Sequence, residues 1–269
     1  MPASSLYNHL LLTQQQRDCI EVVLVSPRNP LNVGAAARAM ANFGFSRLTV
    51  VAPYEPHWRE ARSAVGAPQL LQNAKETATL AEAVAECTYI VGTGTRTHRK
   101  PEQPVLLLPL AGPIVAKHLA GHGRVAIVFG PEKHGLTGDH LSYCHALLEI
   151  PTDPRQPSMN LGQAVAVCLY ELACSDQKEP NDDRSLQSNS DPSATSGNLD
   201  RLAGLIEQTM LAAGYSPRTM EPANRHDLRI MLRSLAPSSL DTRRMLGLFR
   251  RILYRLQQAS EPDSRSRKM

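Results

Sequence analysis

The sequence predicts an α/β fold, in which a mostly parallel sheet carries helices on both faces and is followed by a small, all-helical C-terminal extension. Between residues 20 and 172, short β-branched runs alternate with stretches whose apolar residues recur at helical spacing. Aromatic residues make up only 4% of the chain, so Val, Leu, Ala and Ile must fill the core, which suits α/β layers better than a β-sandwich. After a polar segment, three further stretches of helical spacing complete the chain.

Strands and helices alternate through the first half of the chain. Strands are predicted where short runs are rich in β-branched residues, at 19–25, 47–52 and 88–91. Helical spacing predicts helices at 33–43 and 78–86 and a helix-turn region at 60–73. Gly44 is expected to end the first of these helices, and the third strand runs directly into Gly92-Thr93-Gly94-Thr95. This alternation predicts a parallel sheet that is covered on both faces.

The second half continues with a helix at 110–119 and strands at 124–129 and 147–150. The last strand delivers a loop that prolines at 151, 154 and 157 hold extended. Ser158 is predicted to be the N-cap of a helix whose apolar stripe runs from Leu161 to Leu172. Because a helix start carries unpaired backbone N–H groups, this loop is suited to binding a ligand through main-chain atoms, and a rigid connection explains it equally well.

A change of composition divides the chain. We predict a domain at residues 1–174, a polar linker at 175–198 and a helical extension at 199–269, with helices around 202–211, 228–235 and 245–256. The extension holds 13 basic and 7 acidic residues, against 16 and 18 in the preceding 198. A phosphate-binding appendage and a basic, solvated helix face both explain this asymmetry. So small a unit is expected to lean on the main domain or on a second subunit.

Several classes of protein are disfavoured by what the sequence lacks. Five cysteines form an odd set without a CxxC pair, which argues against a disulfide scaffold or a zinc site. The nine histidines show no ligand spacing, so no metal is expected. No apolar run is long enough to span a bilayer, and the N-terminus lacks the features of a signal peptide. We therefore expect a cytoplasmic protein.

The common sequence motifs for nucleotide binding and for a catalytic nucleophile are also absent or incomplete. The GTGT stretch at 92–95 does not complete the dinucleotide fingerprint GxGxxG, because Thr97 stands where the third glycine is needed. The chain contains no GxxxxGK[ST] phosphate loop, no HExxH and no GxSxG elbow.

Three loops, SPRNPLNVGAAAR, FGPEKHGL and the proline-rich loop, each follow the carboxyl end of a predicted strand. A parallel sheet gathers such loops on one edge, which is where α/β proteins bind ligands. The polar side chains that come within reach are Asn32, Arg38, Glu132, Ser158 and Asn160. Several of these side chains also have an ordinary structural explanation. Asn32 and Ser158 can cap helices, and Arg38 can lie on the surface of a helix.

Taken together, these loops resemble the motifs of the TrmH-like group in the SPOUT superfamily of RNA methyltransferases. The first motif is Asn32 followed by Arg38 in NVGAAARAMANFG, and the second is VFGPEKHGLT, with Gly130, Glu132 and Gly135-Leu136. The third is Ser158-Met159-Asn160-Leu161 at the start of a helix. The long polar linker and Pro157, where a small hydroxyl residue is expected, depart from the pattern.

The resemblance implies a fold, a cofactor and an assembly. The fold is a C-terminal deep trefoil knot, S-adenosyl-L-methionine binds in that knot, and the chain forms a homodimer whose site is completed by the partner. The cofactor-binding residues that it implies are Thr93, Gly94, Thr95, Gly130, Ile150, Ser158, Met159 and Leu161. Arg38 is the expected catalytic residue, which we interpret as stabilising a developing alkoxide rather than as a base, because a guanidinium rarely releases its proton. Asn32, Glu132, Ser158 and Asn160 are expected to organise the substrate and the loops.

The helical extension looks like that of the TrmJ branch of this group, whose members methylate the ribose 2′-hydroxyl of tRNA nucleotide 32 in the anticodon loop. The resemblance therefore implies tRNA as the partner. Two alternatives remain open at this point: 2′-O-methylation of another tRNA or rRNA nucleotide, and a non-catalytic knotted protein that binds RNA. The sequence does not separate cytidine from uridine at the target.

Overall fold

A seven-stranded parallel sheet forms the centre of the molecule, whose computed structural model describes residues 12–95, 101–121, 123–174 and 191–260. The strands are β1 (Ile20–Val25), β2 (Arg47–Val51), β3 (Lys75–Thr77), β4 (Tyr89–Thr93), β5 (Val105–Leu107), β6 (Val125–Phe129) and β7 (Ala146–Glu149). Their order across the sheet is β3-β2-β1-β6-β4-β7-β5, and every neighbouring pair is parallel. The predicted parallel sheet is therefore confirmed.

Seven helices accompany the sheet in the described part of the main body. They are α1 (Gln14–Arg17), α2 (Pro30–Asn42), α3 (Pro68–Asn73), α4 (Leu80–Ala83), α5 (Leu108–Ala120), α6 (Gly138–Ser142) and α7 (Leu161–Cys174). One face of the sheet packs against α2, α3, α5 and α7, and the other packs against α4 and α6. Alternate residues of β1 serve the two sides, with Val22 in the first core and Val23 in the second.

Three longer helices form the C-terminal extension: α8 (Ser196–Ala212), α9 (Glu221–Leu235) and α10 (Ser239–Ser260). They share a small core of their own around Leu202, Leu232 and Leu246. On the side of the sheet that α4 and α6 cover, the extension packs against these two helices, and the Ser196 backbone N–H donates to the Cys87 carbonyl at 2.8 Å. Because α4 and α6 have only four and five residues, this side of the body consists of two very short helices with the extension packed against them.

Arg233 on α9 is the main polar link between the extension and the body. Its side chain is buried and donates to the Tyr143 carbonyl at 2.9 Å and to the Ser196 hydroxyl at 2.7 Å. Next to it, Arg229 lies over the Tyr143 ring and pairs with Asp139 of α6 at 3.0 Å. The extension thus leans on the main body, as its small size predicted.

Several local predictions need correction. Ser158 is not the N-cap of α7; Asn160 is adjacent to the first residue of that helix, and its side-chain oxygen accepts from the Gly162 N–H at 2.9 Å. Strands β3 and β5 were not predicted, because three residues are too few to show a period. Helix α8 begins at Ser196, inside the predicted linker, whose residues 175–190 lie outside the described part of the chain. Within the described residues, no helix is both long and apolar enough to cross a membrane.

Candidate active site

A cavity of about 350 Å³ lies at the carboxyl ends of β4, β6 and β7. The loops after these strands form its walls, and the start of α7 closes one side. All eight residues that the sequence resemblance associates with the cofactor line it: Thr93, Gly94, Thr95, Gly130, Ile150, Ser158, Met159 and Leu161. Its volume falls in the range of about 300 to 1,000 Å³ that is usual for small-molecule sites.

The loop after β6 turns tightly at the cavity because of two glycines. A Cβ atom at Gly130 would lie only 2.3 Å from the backbone of Gly135 and Leu136, so no larger residue fits there. Gly135 itself adopts φ +62°, a conformation that L side chains rarely adopt, and its N–H donates to the Pro131 carbonyl at 2.8 Å. The backbone therefore folds back on itself and forms part of the cavity wall.

The end of β4 is fixed to both neighbouring strands. The Thr93 hydroxyl donates to the Val128 carbonyl of β6 at 3.0 Å, and the Gly94 N–H donates to the Leu148 carbonyl of β7 at 3.0 Å. The apolar residues Ile150 and Leu161 complete the walls. The cavity thus combines fixed main chain with apolar surface, which suits a ligand that has both a polar and an apolar part.

Glu132 ties the cavity loop to the start of α2. One carboxylate oxygen accepts from the Arg28 backbone N–H at 3.0 Å, and the other accepts from the Asn29 N–H at 3.2 Å and from the Asn32 side-chain amide at 2.9 Å. Partial burial raises the pKa of Glu132, but these hydrogen bonds outweigh it and leave the pKa below its ordinary value. The carboxylate is therefore ionised near neutral pH and acts as a hydrogen-bond acceptor.

Asn32 and Asn160 extend this connection to the third loop. The Asn160 side-chain amide donates to the Asn32 side-chain oxygen at 2.9 Å, while the Asn160 oxygen caps α7. Next to this contact, α2 and α7 pack closely. A Cβ atom at Gly162 would lie only 2.7 Å from the Cβ atom of Ala35. Glu132, Asn32 and Asn160 thus form one hydrogen-bonded chain, here called the loop clasp, that joins all three motif loops.

The structure does not bring Arg38 to the cavity of its own chain. Arg38 is exposed on α2, and six helical residues after Asn32 it points about 120° away around the helix axis. It has no hydrogen-bond or ion-pair partner among the described residues. Ser158 does line the cavity, where it is exposed. Of the five predicted catalytic residues, Asn32, Glu132 and Asn160 therefore lie in the loop clasp, Glu132 and Ser158 line the cavity, and Arg38 lies away from both.

Some features of the site escaped the sequence reasoning. Lys133 and His134 line the cavity next to Glu132, and their position inside the second motif was the available signal. Pro157 also lines the cavity, and its carbonyl accepts from the Thr152 hydroxyl at 3.3 Å, which closes the proline-rich loop. The backbone donors of Arg28 and Asn29 carry no sequence signal, since every residue except proline supplies a backbone N–H.

The described residues contain no group of three or more His, Cys, Asp or Glu side chains arranged to hold a metal ion. All five cysteines are free thiols. Burial raises the pKa of Cys87, Cys144 and Cys168 to about 12 in each case, so these three remain protonated at neutral pH.

Comparison with known proteins gives concordant results. Residues 20–170 match the family model of the SpoU rRNA Methylase family. The tRNA (cytidine/uridine/adenosine-2'-O-)-methyltransferase TrmJ of Pseudomonas aeruginosa is 34% identical over 250 residues, which cover 90% of this chain and 95% of that protein. The tRNA (cytidine/uridine-2'-O-)-methyltransferase TrmJ of Pectobacterium atrosepticum is 32% identical over 247 residues, covering 91% and 99%. The crystal structure of TrmJ from Z. mobilis superposes with a TM-score of 0.74 at 30% identity, covering 86% of this chain and 98% of that one.

Proposed function

This chain belongs to the SpoU rRNA Methylase family, and we propose that it transfers a methyl group from S-adenosyl-L-methionine to the 2′-hydroxyl of a tRNA ribose. The observation that carries the proposal is the cavity in which the loops after β4, β6 and β7 meet. Support for tRNA as the substrate comes from relatives named tRNA 2′-O-methyltransferases, to which the chain is similar along about nine tenths of its length. We further propose nucleotide 32 of the anticodon loop as the target.

The residues of the cavity fit S-adenosyl-L-methionine. Gly130 has no Cβ, which allows the backbone of Gly135 and Leu136 to pack against it and shape the cavity wall. Ile150 and Leu161 offer apolar surface for an adenine ring. Thr93, Ser158 and Met159 border the same space. When bound, the cofactor supplies an activated methyl group on a sulfonium.

The loop clasp keeps these walls in place. Glu132 does not serve as a general base in this proposal, because its two oxygens already accept three N–H groups and its pKa is lowered. Its role is to hold the loop after β6 against the start of α2, while Asn160 holds the start of α7. Correct placement of two reactants can supply about 7 to 11 kcal/mol of a barrier, so loops held in this way contribute to rate through geometry.

We propose the trefoil knot of the superfamily for this chain. The last strand, β7, is inserted between β4 and β5, and both of these precede it in the sequence. After β7 the chain passes along the cavity and returns as α7 against α2 and α5. An inserted last strand followed by a packed helix is compatible with threading of the C-terminal segment through an earlier loop.

Arg38 enters this mechanism from a second copy of the chain. A ribose hydroxyl is a very weak acid, so a guanidinium that stabilises the developing alkoxide favours transfer. Arg38 is exposed, lacks a partner among the described residues and does not line its own cavity. We therefore propose a homodimer in which Arg38 of each copy faces the cavity of the other.

The test is direct transfer. The purified chain is incubated with isotopically labelled S-adenosyl-L-methionine and unmodified tRNA, and the labelled nucleotide is located by mass spectrometry of nuclease fragments. We expect one 2′-O-methyl group, on nucleotide 32. Transfer to another nucleotide would overturn the choice of target, and absence of transfer despite cofactor binding would contradict the activity.

A further inference from the structure

A second cavity, of about 320 Å³, lies in the C-terminal extension, far in sequence from the motif loops. Helices α8, α9 and α10 all contribute to it. Its lining includes Asp200, Arg201, Gln208, Arg225, Leu246 and Arg250, and we call it the arginine cavity. Three guanidinium groups from three helices therefore meet at one concave surface.

The charges around the arginine cavity are not evenly neutralised. Arg225 is held by the buried carboxylate of Glu207, to which its Nε donates at 2.8 Å. The Asp200 carboxylate is shared between Arg229 at 3.5 Å and Arg233 at 3.4 Å. Both acids of this region are thus already committed to other arginines.

Arg201 and Arg250 have no such partner. Both are exposed, and neither makes a hydrogen bond or ion pair with any described residue. Gln208, which is exposed in the same lining, is also without a hydrogen bond there and offers a side-chain amide. Two uncompensated guanidinium groups and one amide donor therefore face the same space, where an anion would satisfy all three.

We propose that the arginine cavity binds a backbone phosphate of tRNA, with Arg201 and Arg250 as its ligands; this rests on the proposed function, which supplies tRNA as the partner. A guanidinium presents paired N–H donors whose geometry matches the oxygens of a phosphate. None of the lining residues is aromatic, so the cavity offers no aromatic ring on which an unstacked base could stack. The site would position tRNA without reading its sequence.

Point variants test this better than deletion, because removing α8 and α9 would expose the surfaces of α4 and α6 against which they pack. Arg225 is also unsuitable, since its loss would leave the buried Glu207 carboxylate unpaired. The variant to make is Arg201→Gln with Arg250→Gln, both at exposed positions. Its matched control is Arg244→Gln with Arg255→Gln, which removes two exposed charges from α10 on a side about 120° to 140° away from Arg250.

tRNA binding to the full chain is measured by filter binding across a salt series. We expect the R201Q/R250Q variant to bind about tenfold more weakly than the control, as expected for one lost charge-assisted contact. The slope of log affinity against log salt should fall by about one relative to the control. The R201K/R250K variant, which keeps the charges, should recover most of this slope. In methyl transfer, KM for tRNA should rise while kcat and S-adenosyl-L-methionine affinity stay near wild type.

Equal affinities and equal salt slopes for R201Q/R250Q and its control would overturn the proposal. Thermal unfolding of each variant shows whether it is folded, and R201K/R250K, which should recover binding, separates a lost contact from a damaged fold. Failure of the proposed function looks different: the wild-type chain would bind tRNA through these arginines and yet transfer no methyl group.

Discussion

Glu132 is the side chain through which the cavity loop and the start of α2 are joined. Its partners, Arg28, Asn29 and Asn32, lie about a hundred residues earlier in the chain, so the contact exists only after the sheet has brought β1 and β6 side by side. The carboxylate also lies next to the first turn of α2, where a negative charge is favourable. The geometry of the site therefore depends on the Glu132 carboxylate as a fixed hydrogen-bond acceptor.

Replacing Glu132 by Gln tests this role. The new amide group places an N–H₂ donor where the backbone now donates, so at least one of the three hydrogen bonds is lost. We expect affinity for S-adenosyl-L-methionine, measured by calorimetry, to fall about tenfold, the effect of about one charge-assisted hydrogen bond. Glu55→Gln is the matched control, because Glu55 is exposed and makes no hydrogen bond or ion pair within the described residues. Unchanged cofactor affinity in E132Q would contradict the positioning role.

At the scale of elements, the two faces of the sheet are stabilised differently. One is covered by α2, α3, α5 and α7, whereas the other is covered by two very short helices, against which the extension packs. Near the joint with the extension, His145 lies at the start of β7, where its Nδ1 accepts from the Ile90 N–H at 3.1 Å and its ring lies 5.3 Å from that of Tyr89. This histidine makes the packing of β4 and β7 sensitive to acid.

Burial, aided by the nearby charges of Arg233 and His118, lowers the pKa of His145 to about 3, from an ordinary value of 6.5. The unfolded chain takes up a proton near pH 6.5, whereas the folded chain does not until about pH 3, so stability is lost as the pH falls through this window. As the pH falls below 6.5, the free energy of unfolding of the His145→Asn variant should therefore decrease less steeply than that of the wild type. Well below pH 6.5, the two slopes should differ by about 1.4 kcal/mol per pH unit.

The measurement is urea unfolding of wild type and variants between pH 7.5 and 4.5. The amide side chain of the H145N variant retains an oxygen that accepts from Ile90, so the backbone contact survives, although the loss of ring packing lowers stability at every pH. His57→Asn is the control, because the His57 side chain is 81% exposed. If H145N and H57N lose stability with the same slope, His145 does not titrate as described.

At the scale of the whole molecule, the sequence predicted what depends on composition and period. The order of β1, α2 and β2 followed from short β-branched runs and apolar spacing, and Gly44 does end α2, with φ +75°. The members of the loop clasp were named because parallel strands end at one edge. What could not be predicted depends on distant packing: the cap at Asn160 rather than Ser158, the distance of Arg38 from its own cavity, and the burial of Glu207 beneath Arg225.

The position of Arg38 leads to a prediction about the assembly. If each cavity is completed by Arg38 of a second copy, the two defects of a pair of inactive variants can compensate for each other. Arg38→Ala leaves the cavity intact, and by itself it should lose transfer about 100-fold or more, while it keeps cofactor affinity. Ser158→Trp instead fills the cavity from an exposed position in its wall, so it should lose cofactor binding while it retains Arg38.

Mixed in equal amounts and allowed to exchange, the two variants should recover about a quarter of wild-type transfer, because half of the two-fold symmetric dimers are mixed and each of these has one complete site. In a control mixture, Lys75→Ala, which removes an exposed charge from β3 and leaves both Arg38 and the cavity intact, replaces R38A. This mixture should retain about half of wild-type transfer, because only the cavities filled by S158W are lost. Light scattering on the same samples establishes that dimers are present. A mixture that stays as inactive as either variant, although mixed dimers have formed, would place Arg38 outside the partner's site and would require another group to stabilise the alkoxide.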